Sequence, residues 1–263
     1  MSSSLPVVLT FAASDPTGGA GLQADLLTLA SLGCHPLSVV TGLTVQDTRG
    51  VASMLAIDPA LVERQARHVL ADIPVAVFKV GVVGSAGNAR VIAAILAEFP
   101  AIPLVFDPVL ASGRGDTLAD GETIEVFRGT LLPRTTVLTP NSLEARRLTG
   151  SAPGAALSEC ARELTKRGCK FVLVTGTHEK GEEVVNILYD ARGVVREDRW
   201  ERLPGSHHGS DCTLASAIAA LLARGVELER AVQQAQDYTW KSLRAGFAPG
   251  HGQLIPDRFF RSR

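Results

Sequence analysis

The stretch that decides the fold runs from Val7 to Gly33 and reads VVLTFAASDPTGGAGLQADLLTLASLG. Its first residues, Val7–Ala12, form a short apolar run that is typical of a buried strand. A glycine-rich turn follows, and apolar residues then recur at helical spacing between Leu22 and Ala30. We expect the helix to stop at Gly33, because glycine readily adopts the left-handed conformation that ends helices. The stretch therefore predicts one strand–turn–helix unit.

The same alternation of short apolar runs and longer helical stretches continues along the chain, as in βαβ units that build a parallel sheet. Asp58 is expected to cap a helix that has Pro59 at its first position, and a late apolar helix from Leu214 should end at Gly225. No linker divides the pattern. We predict one domain over residues 1–263, an α/β protein with a three-layer α/β/α sandwich and a mostly parallel central sheet. The predicted strands are Val7–Ala12, Leu37–Leu43, Val75–Val80, Pro103–Phe106, Thr136–Leu138, Phe171–Thr175 and Val184–Tyr189.

Composition narrows the class of ligand. The 263 residues are 46% hydrophobic and 20% charged, with a formal net charge of -1. Such a balance supplies no basic field, which argues against nucleic acid or an anionic membrane as partner, so we expect a small molecule. No signal-peptide pattern opens the chain and no apolar run approaches the roughly 18 residues of a membrane span, so we expect a cytoplasmic protein. Cys34, Cys160 and Cys169 are interpreted as core thiols.

The turn at 15–21, DPTGGAG, lies where α/β sheets bind ligands, beyond the carboxyl end of a strand. Residues 19–24 also fit the G-x-G-x-x-A form of a dinucleotide-binding turn, with Asp47 downstream as the acidic partner. The Asp15-Pro16 pair interrupts the direct strand-to-helix turn that a pyrophosphate needs. A nicotinamide or flavin enzyme and a purely structural turn therefore remain open alternatives. The nearest approach to a P-loop, at 176–181, lacks the lysine, which argues against a P-loop NTPase.

The loop at 207–214, HHGSDCTL, opens the late apolar helix. Free backbone amides at a helix start favour the negative charge of a transferring phosphoryl group, so Gly209 and Ser210 are candidate catalytic positions. We expect the thiol of Cys212 to have a lowered pKa in this field and to act as a base. The alternative is an ordinary small residue at a helix start.

Acidic residues follow two other predicted strands. Asp107 comes directly after Phe106, and Glu144 lies three residues beyond Asn141. Both carboxylates should lie on one rim of the sheet, where they could hold Mg²⁺ directly or through water. Asn141 and Glu144 equally resemble a capping box, which would need no metal.

Three stretches together resemble a known family. They are ASDPTGGAGLQAD at 13–25, TGLTVQDTRGV at 41–51 and HGSDCTL at 208–214. They are similar to the hydroxymethylpyrimidine/phosphomethylpyrimidine kinases of the ribokinase-like superfamily, and the match covers nearly the whole chain. The resemblance implies a ribokinase-like fold, a homodimer, and MgATP-dependent phosphorylation of 4-amino-5-hydroxymethyl-2-methylpyrimidine, and often of its monophosphate, in thiamine biosynthesis.

The resemblance also implies roles for individual positions. Gln46 would pair with the aminopyrimidine edge, and Cys212 would take the hydroxyl proton. Asp107 and Glu144 would serve the metal and phosphates. The remaining implied substrate-binding residues are Asp25, Gly18, Gly19, Thr44, Val82 and Val109. The implied nucleotide-binding residues are Thr175, Gly209, Ser210 and Asn141.

Four positions depart from the family. Asp211 stands where glycine is usual, and a carboxylate ~5 Å from a phosphate would cost roughly 3 kcal/mol at an effective dielectric of 20. Asp211 could cap the helix, act as an alternative base, or impair the site. Thr175 replaces a lysine near the ATP phosphates, and a compensating role for Arg114 competes with that of a solvated loop residue. Val82 and Ala13 replace methionine and glycine.

These departures leave two alternatives to an active pyrimidine kinase. One is a catalytically weak pyrimidine-binding or regulatory paralogue. The other is a pyridoxal-type vitamin kinase.

Overall fold

The computed structural model describes residues 5–112 and 115–262, so Arg114 lies outside the described residues. Within these ranges the strands form one sheet of nine, in the order β3-β2-β1-β4-β5-β6-β7-β8-β9. The strands are β1 (Val7–Ser14), β2 (His35–Asp47), β3 (Gly50–Ala56), β4 (Val77–Val80), β5 (Leu104–Phe106), β6 (Val137–Leu138), β7 (Phe171–Val174), β8 (Glu183–Asp190) and β9 (Gly193–Glu201).

The centre of the sheet is parallel, from β2 through β7, as predicted. Both edges are antiparallel hairpins, β2–β3 and β8–β9. The sequence prediction missed β3 and β9. Edge strands face solvent on one side, so they lack the continuous apolar runs by which the central strands were identified.

Helices connect the strands, and their ends follow the expected chemistry. Asp58 caps α2 by accepting hydrogen bonds from the amides of Ala60 and Leu61. Gly33 and Gly225 follow α1 and α7 with φ of 78° and 77°. The α-helices of the described residues are α1 (Gly21–Ser31), α2 (Pro59–Leu70), α3 (Ala86–Ala97), α4 (Gly121–Val126), α5 (Ser142–Thr149), α6 (Leu157–Lys166), α7 (Ser210–Ala223) and α8 (Leu228–Arg244).

The sheet has a hydrophobic core on each face. Side chains alternate along a strand, so Leu9 and Phe11 join the cluster under α2–α6, while Val8 joins the cluster under α1, α7 and α8. Helices thus cover both faces, which confirms the predicted three layers. The buried helix α7 starts at the carboxyl ends of the central strands. Among the described helices, none combines the length and apolarity needed to cross a membrane.

Candidate active site

A cavity of about 440 Å³ opens at the carboxyl ends of the strands, where the loops after β1, β2, β4, β5 and β6 meet the start of α7. Most of the residues predicted to form the site line this cavity. They are Thr44, Gln46, Val82, Val109, Asn141, Glu144, Gly209, Ser210, Asp211 and Cys212. Five predicted residues are not among its described lining: Gly18, Gly19, Asp25, Asp107 and Thr175.

The glycine turn and the start of α7 are in direct contact, and we call this junction the glycine corner (residues 15–21 with 207–209). His208 Nε2 lies 2.9 Å from Asp15 Oδ2. Gly209 has a φ of +79°, and a Cβ there would lie 1.9 Å from the carbonyl oxygen of Gly19. Only glycine fits at position 209, because the two backbones touch. Gly18 and Gly19 therefore shape the junction from behind the cavity wall.

Asp15 organises this corner. Burial alone would raise its pKa, but the hydrogen bonds from His208, Thr17 and Ala20 lower that pKa to about 2. A carboxylate with several donors is strongly held in its charged form. The sequence analysis quoted Asp15 and His208 but assigned them no role, since their pairing joins residues 193 positions apart.

Arg258, which is distant in the sequence, also binds residues of the glycine corner. It is buried, and its guanidinium donates to the carbonyl oxygens of Gly18 and Gly19 and to the hydroxyl of Thr213, with the Gly19 contact at 2.6 Å. Burial lowers its pKa, and Cys212, Asp25 and Asp15 act in the opposite direction. No motif in the sequence indicated this role.

The hairpin β2–β3 forms one wall of the cavity. Its register shifts between Val45 and Gln46, and both Thr44 and Gln46 line the cavity. Thr44 donates to the carbonyl oxygen of Ser14 at 2.9 Å, which ties this wall to the end of β1. A bulge bends a strand and redirects its side chains, and Gln46 lines the same cavity as Val82 and Val109.

Asp25 was predicted to lie beside the substrate, and the structure corrects this. Asp25 is fully buried and points into a network below the cavity, where it accepts hydrogen bonds from Thr10 at 2.6 Å and Ser216 at 2.7 Å. Lys79 Nζ lies 2.9 Å from its Oδ1. With both oxygens engaged and no exposed surface, Asp25 cannot contact a ligand directly. Sequence analysis missed Lys79 because a lysine in an apolar run gives no sign of its partner.

Asp107 is the opposite case, a buried carboxylate without conventional partners. Neither oxygen has a hydrogen-bond partner in the described residues, apart from the nearby Cys212 thiol. Burial raises its pKa to about 7, Lys79 acts to lower that pKa, and Asp211 to raise it. Unsatisfied buried oxygens fit a cation or a proton donor from a ligand.

Asn141 and Glu144 form a true capping box, the alternative that needs no metal. Glu144 Oε2 accepts from the Asn141 amide at 3.0 Å, and Oε1 from the Leu110 amide at 3.3 Å. Burial, Asp107 and Asp211 raise the Glu144 pKa well above its ordinary value. Within the described residues, no three His, Cys, Asp or Glu side chains are arranged to hold a metal ion.

Asp211 does not cap α7, so that interpretation of the sequence was wrong. The cap residue is Gly209, and no side chain accepts a capping bond. The Asp211 side chain instead interacts with Asn141, while burial raises its pKa and His178 lowers it. We call Asp107, Glu144 and Asp211 the acid corner. His178, on the loop after β7, lines the same cavity and was not predicted.

The expected low pKa of Cys212 was also wrong. Burial raises the pKa of this thiol well above its ordinary value, and the charge of Asp107 raises it further. The side chain is 8% exposed, so the field at the helix start does not offset the loss of water. Cys212 is a protonated thiol in the ligand-free protein.

Thr175 lies at the edge of the acid corner. It is buried, it bridges to Asn141, and its hydroxyl makes no hydrogen bond in the described residues. Thr175 places a short neutral side chain at this position.

Comparison with known proteins identifies the family. Residues 15–257 match the family described as phosphomethylpyrimidine kinase. This chain belongs to the phosphomethylpyrimidine kinase family. Within the family, it is 40% identical over 253 residues to the hydroxymethylpyrimidine/phosphomethylpyrimidine kinase of Streptomyces coelicolor, covering 94% of this chain and 92% of that protein.

Two further proteins are similar to this chain. The chain is 40% identical over 251 residues, 94% of its length, to the thiamine biosynthesis bifunctional protein ThiED of Geobacter sulfurreducens, and spans 51% of that protein. An ADP complex of Bacillus subtilis pyridoxal kinase has a TM-score of 0.87 and 26% identity, over 99% of this chain and 100% of that one. The ribokinase-like fold expected of the phosphomethylpyrimidine kinase family is therefore confirmed.

Proposed function

We propose that this chain transfers the γ-phosphate of ATP to the hydroxymethyl group of 4-amino-5-hydroxymethyl-2-methylpyrimidine, and to its monophosphate, in thiamine biosynthesis. One observation carries the proposal: residues of the glycine corner, the apolar Val82 and Val109 with Gln46, and Glu144 and Asp211 of the acid corner all line one cavity. Membership of the phosphomethylpyrimidine kinase family supports the same substrate.

The cavity walls suggest how the two substrates would sit. The Gln46 amide offers both a donor and an acceptor to an aminopyrimidine edge, while Val82 and Val109 provide apolar contact with the ring. The first-turn amides of α7, at Ser210 and Cys212, have no intrahelical partners and would stabilise the phosphoryl group in flight. Phosphoryl transfer depends mainly on such positioning and charge neutralisation.

The nucleotide would occupy the acid-corner side. Thr175 and Asn141 lie beside it, and the complex of the pyridoxal kinase with ADP supports a nucleotide site in this fold. The unsatisfied oxygens of Asp107 fit Mg²⁺, whereas Glu144 would act through water because both of its oxygens accept amide bonds. When bound with the nucleotide, Mg²⁺ would neutralise phosphate charge.

The proton of the attacking hydroxyl needs an acceptor. The raised pKa of the Cys212 thiol makes it a group that orients the hydroxyl, and Asp211, whose pKa burial raises, is the alternative base that would accept the proton. A loose transition state makes little demand on a base until the new bond has formed. We therefore expect Cys212→Ala to lower kcat more than it weakens pyrimidine binding.

The proposal is tested by ADP release. Purified protein with excess MgATP should release ADP when hydroxymethylpyrimidine is added, with one phosphate transferred per alcohol consumed. Absence of release with saturating alcohol and nucleotide would refute it. Repeating the assay with the monophosphate decides whether the second phosphorylation occurs.

Two alternatives remain testable in the same assay. The similarity to pyridoxal kinase favours a competing activity on pyridoxal, and competition between the two alcohols would rank them by kcat/KM. Asp211 and Thr175 favour a weak, pyrimidine-binding paralogue. In that case calorimetry would show pyrimidine binding without turnover, and Asp211→Gly would restore ADP release.

A second copy of the chain is the partner we propose. Leu43, Val45 and Leu55 are 46%, 64% and 67% exposed and share the outer face of the hairpin whose inner face lines the cavity. Burial of this face in a homodimer would stabilise the cavity wall. Sedimentation velocity should show a dimer that Val45→Lys dissociates, and a wild-type monomer would exclude it. We also propose a cytoplasmic location, since the donor is ATP and all four cysteines are unpaired.

A further inference from the structure

A buried ion pair lies directly beneath the candidate active site. Thr10 of β1 and Lys79 of β4 are neighbours in the parallel register, and both project towards α1 and α7. Lys79 and Asp25 are each 0% exposed, and Lys79 Nζ lies 2.9 and 3.0 Å from the two oxygens of Asp25. Ser216, one helical turn beyond Cys212, donates to the same carboxylate. The network thus connects two strands and two helices under the floor of the cavity.

The Lys79 side chain extends towards the site edge of the sheet. A Cβ at Gly81, just past the end of β4, would lie 2.6 Å from Lys79 Nζ. The ammonium therefore occupies the space that a side chain at position 81 would need. The charge lies at the carboxyl end of the strand, where ligands of such sheets bind.

The ammonium is the end of the pair nearer the site, because Lys79 Nζ, and no atom of Asp25, is among the nearest neighbours of a Cβ at Gly81. If the two opposite charges were equidistant from the site, their effects would cancel. The other buried cation near Cys212, Arg258, is bound to carbonyl oxygens of the glycine corner.

Stability alone gives little reason for this pair. Taking two charges out of water costs several kcal/mol, and apolar replacements of buried pairs are often as stable. The acid corner above it brings together three carboxyl groups, those of Asp107, Glu144 and Asp211. A fixed positive charge below that corner would offset part of their repulsion towards an incoming phosphate.

We propose that Lys79, held by Asp25, is a positioning residue of the phosphoryl transfer: its buried ammonium supplies fixed positive charge beneath Asp107 and the first turn of α7. This rests on the proposed function and deepens it. The ammonium of Lys79 is fully buried below the cavity floor. It acts through the field at the site and touches neither substrate.

The test removes the charge without leaving an unpaired partner. In the double variant Lys79→Met with Asp25→Asn, the amide oxygen accepts from one of the Thr10 and Ser216 hydroxyls and the amide nitrogen donates to the other, so the fold should persist by circular dichroism and thermal unfolding. We expect kcat for ADP release to fall about tenfold while the KM for hydroxymethylpyrimidine stays within about threefold, because the field acts on charge and the alcohol is neutral. If this variant does not fold, Lys79→Gln with Asp25→Asn replaces it.

The control is Thr10→Val, which deletes one hydrogen bond to Asp25 and keeps both charges. It should lower the melting temperature and leave kcat within about twofold. Unchanged kcat in the double variant overturns the proposal, as does an equal loss of kcat in Thr10→Val. If wild-type protein releases no ADP, the proposed function fails by itself. The proposed role of the Lys79 charge is then tested by calorimetry with ADP. About threefold weaker ADP binding in the double variant supports this role, and equal binding overturns it.

Discussion

The glycine corner and the acid corner both border one cavity, yet they are built in opposite ways. In the glycine corner, Asp15 pairs with His208 and Arg258 binds the carbonyls of Gly18 and Gly19. In and beside the acid corner, the oxygens of Asp107 and the hydroxyl of Thr175 have no conventional partner among the described residues. The protein thus completes the geometry of one corner by itself and leaves the other to be completed by its ligands.

This difference separates stability from function within one site. Preorganised donors stabilise the fold and fix the shape of the pocket, while unsatisfied buried carboxyl groups reduce stability and are retained where a ligand uses them. Substitutions in the glycine corner should therefore cost stability. Substitutions in the acid corner should mainly change activity, and the loss of a carboxyl group there should not itself cost stability.

The largest expected effect is at Gly209. Gly209→Ala would force an alanine to φ +79° and place its Cβ 1.9 Å from the Gly19 carbonyl oxygen. We expect a loss of about 4 kcal/mol in the free energy of unfolding, measured by urea denaturation. Gly225→Ala is the matched control at the other end of α7, because its φ is +77° with no atom within 4 Å. It should cost only about 1 kcal/mol, and an equal cost at both positions would mean that the backbone contact contributes nothing.

The next substitution, Asp107→Asn, should increase the stability of the protein instead of reducing it. The Asp107 pKa is raised from 3.8 to about 7, so the folded state keeps a proton that the unfolded state has lost. Stability should then fall as pH rises between these values. Asp107→Asn cannot ionise and should stabilise the ligand-free protein at pH 8 by about 3 kcal/mol, with a smaller gain at pH 5, while ADP release drops at least about tenfold. If Asp107→Asn is less stable than wild type at pH 8, the buried carboxyl group of Asp107 does not reduce stability and the contrast between the two corners is wrong.

The pH dependence of stability tests the role of the Asp15 carboxylate in the glycine corner. Its pKa is lowered from 3.8 to about 2, so its contribution is complete above pH 4 and is lost as pH falls through 2. Asp15→Asn should cost about 2 kcal/mol at pH 7, and the difference from wild type should shrink at pH 2.5. Urea unfolding at the two pH values measures this. A cost independent of pH would show that the carboxylate charge does not hold the corner.

The smallest expected effect is at Asp211. Asp211→Gly removes one carboxyl group from the acid corner and should lower the pKa of Asp107, which Asp211 raises. We expect KM for ATP to fall about threefold, with a stability loss of about 1 kcal/mol from glycine within the first helical turn. Steady-state kinetics at fixed pyrimidine concentration provides the measurement. A higher KM would indicate that Asp211 assists nucleotide binding.

Much of the fold could be predicted from the sequence, and the failures have a common cause. The central strands and the ends of α1, α2 and α7 were predicted because buried strands are continuously apolar and glycine, aspartate and proline mark helix ends. The strands β3 and β9 were missed, since edge strands show no such run. The shift at Gln46 depends on pairing with β3 and has no local signal.

For the site, the sequence identified which loops contribute and which residue types they carry. It could not predict the protonation preferences of Cys212 and Asp107, because these follow from burial and from neighbours distant in the chain. The field at a helix start predicted an acidic thiol, but the loss of water at Cys212 proved larger. The resemblance placed Asp25 beside the pyrimidine site, whereas its side chain is fully buried among Thr10, Lys79 and Ser216, three residues distant in the sequence.

The sequence by itself determined the alternation of strands and helices, the loops that gather at one edge of the sheet, and the motifs that identify the phosphomethylpyrimidine kinase family. Only the tertiary structure decided which polar groups are paired: Asp15 with His208, Lys79 with Asp25, and Asp107 with no conventional partner. The physical reason is that periodicity and helix capping are local properties of a chain. Desolvation and charge pairing depend on groups that folding brings together from distant segments.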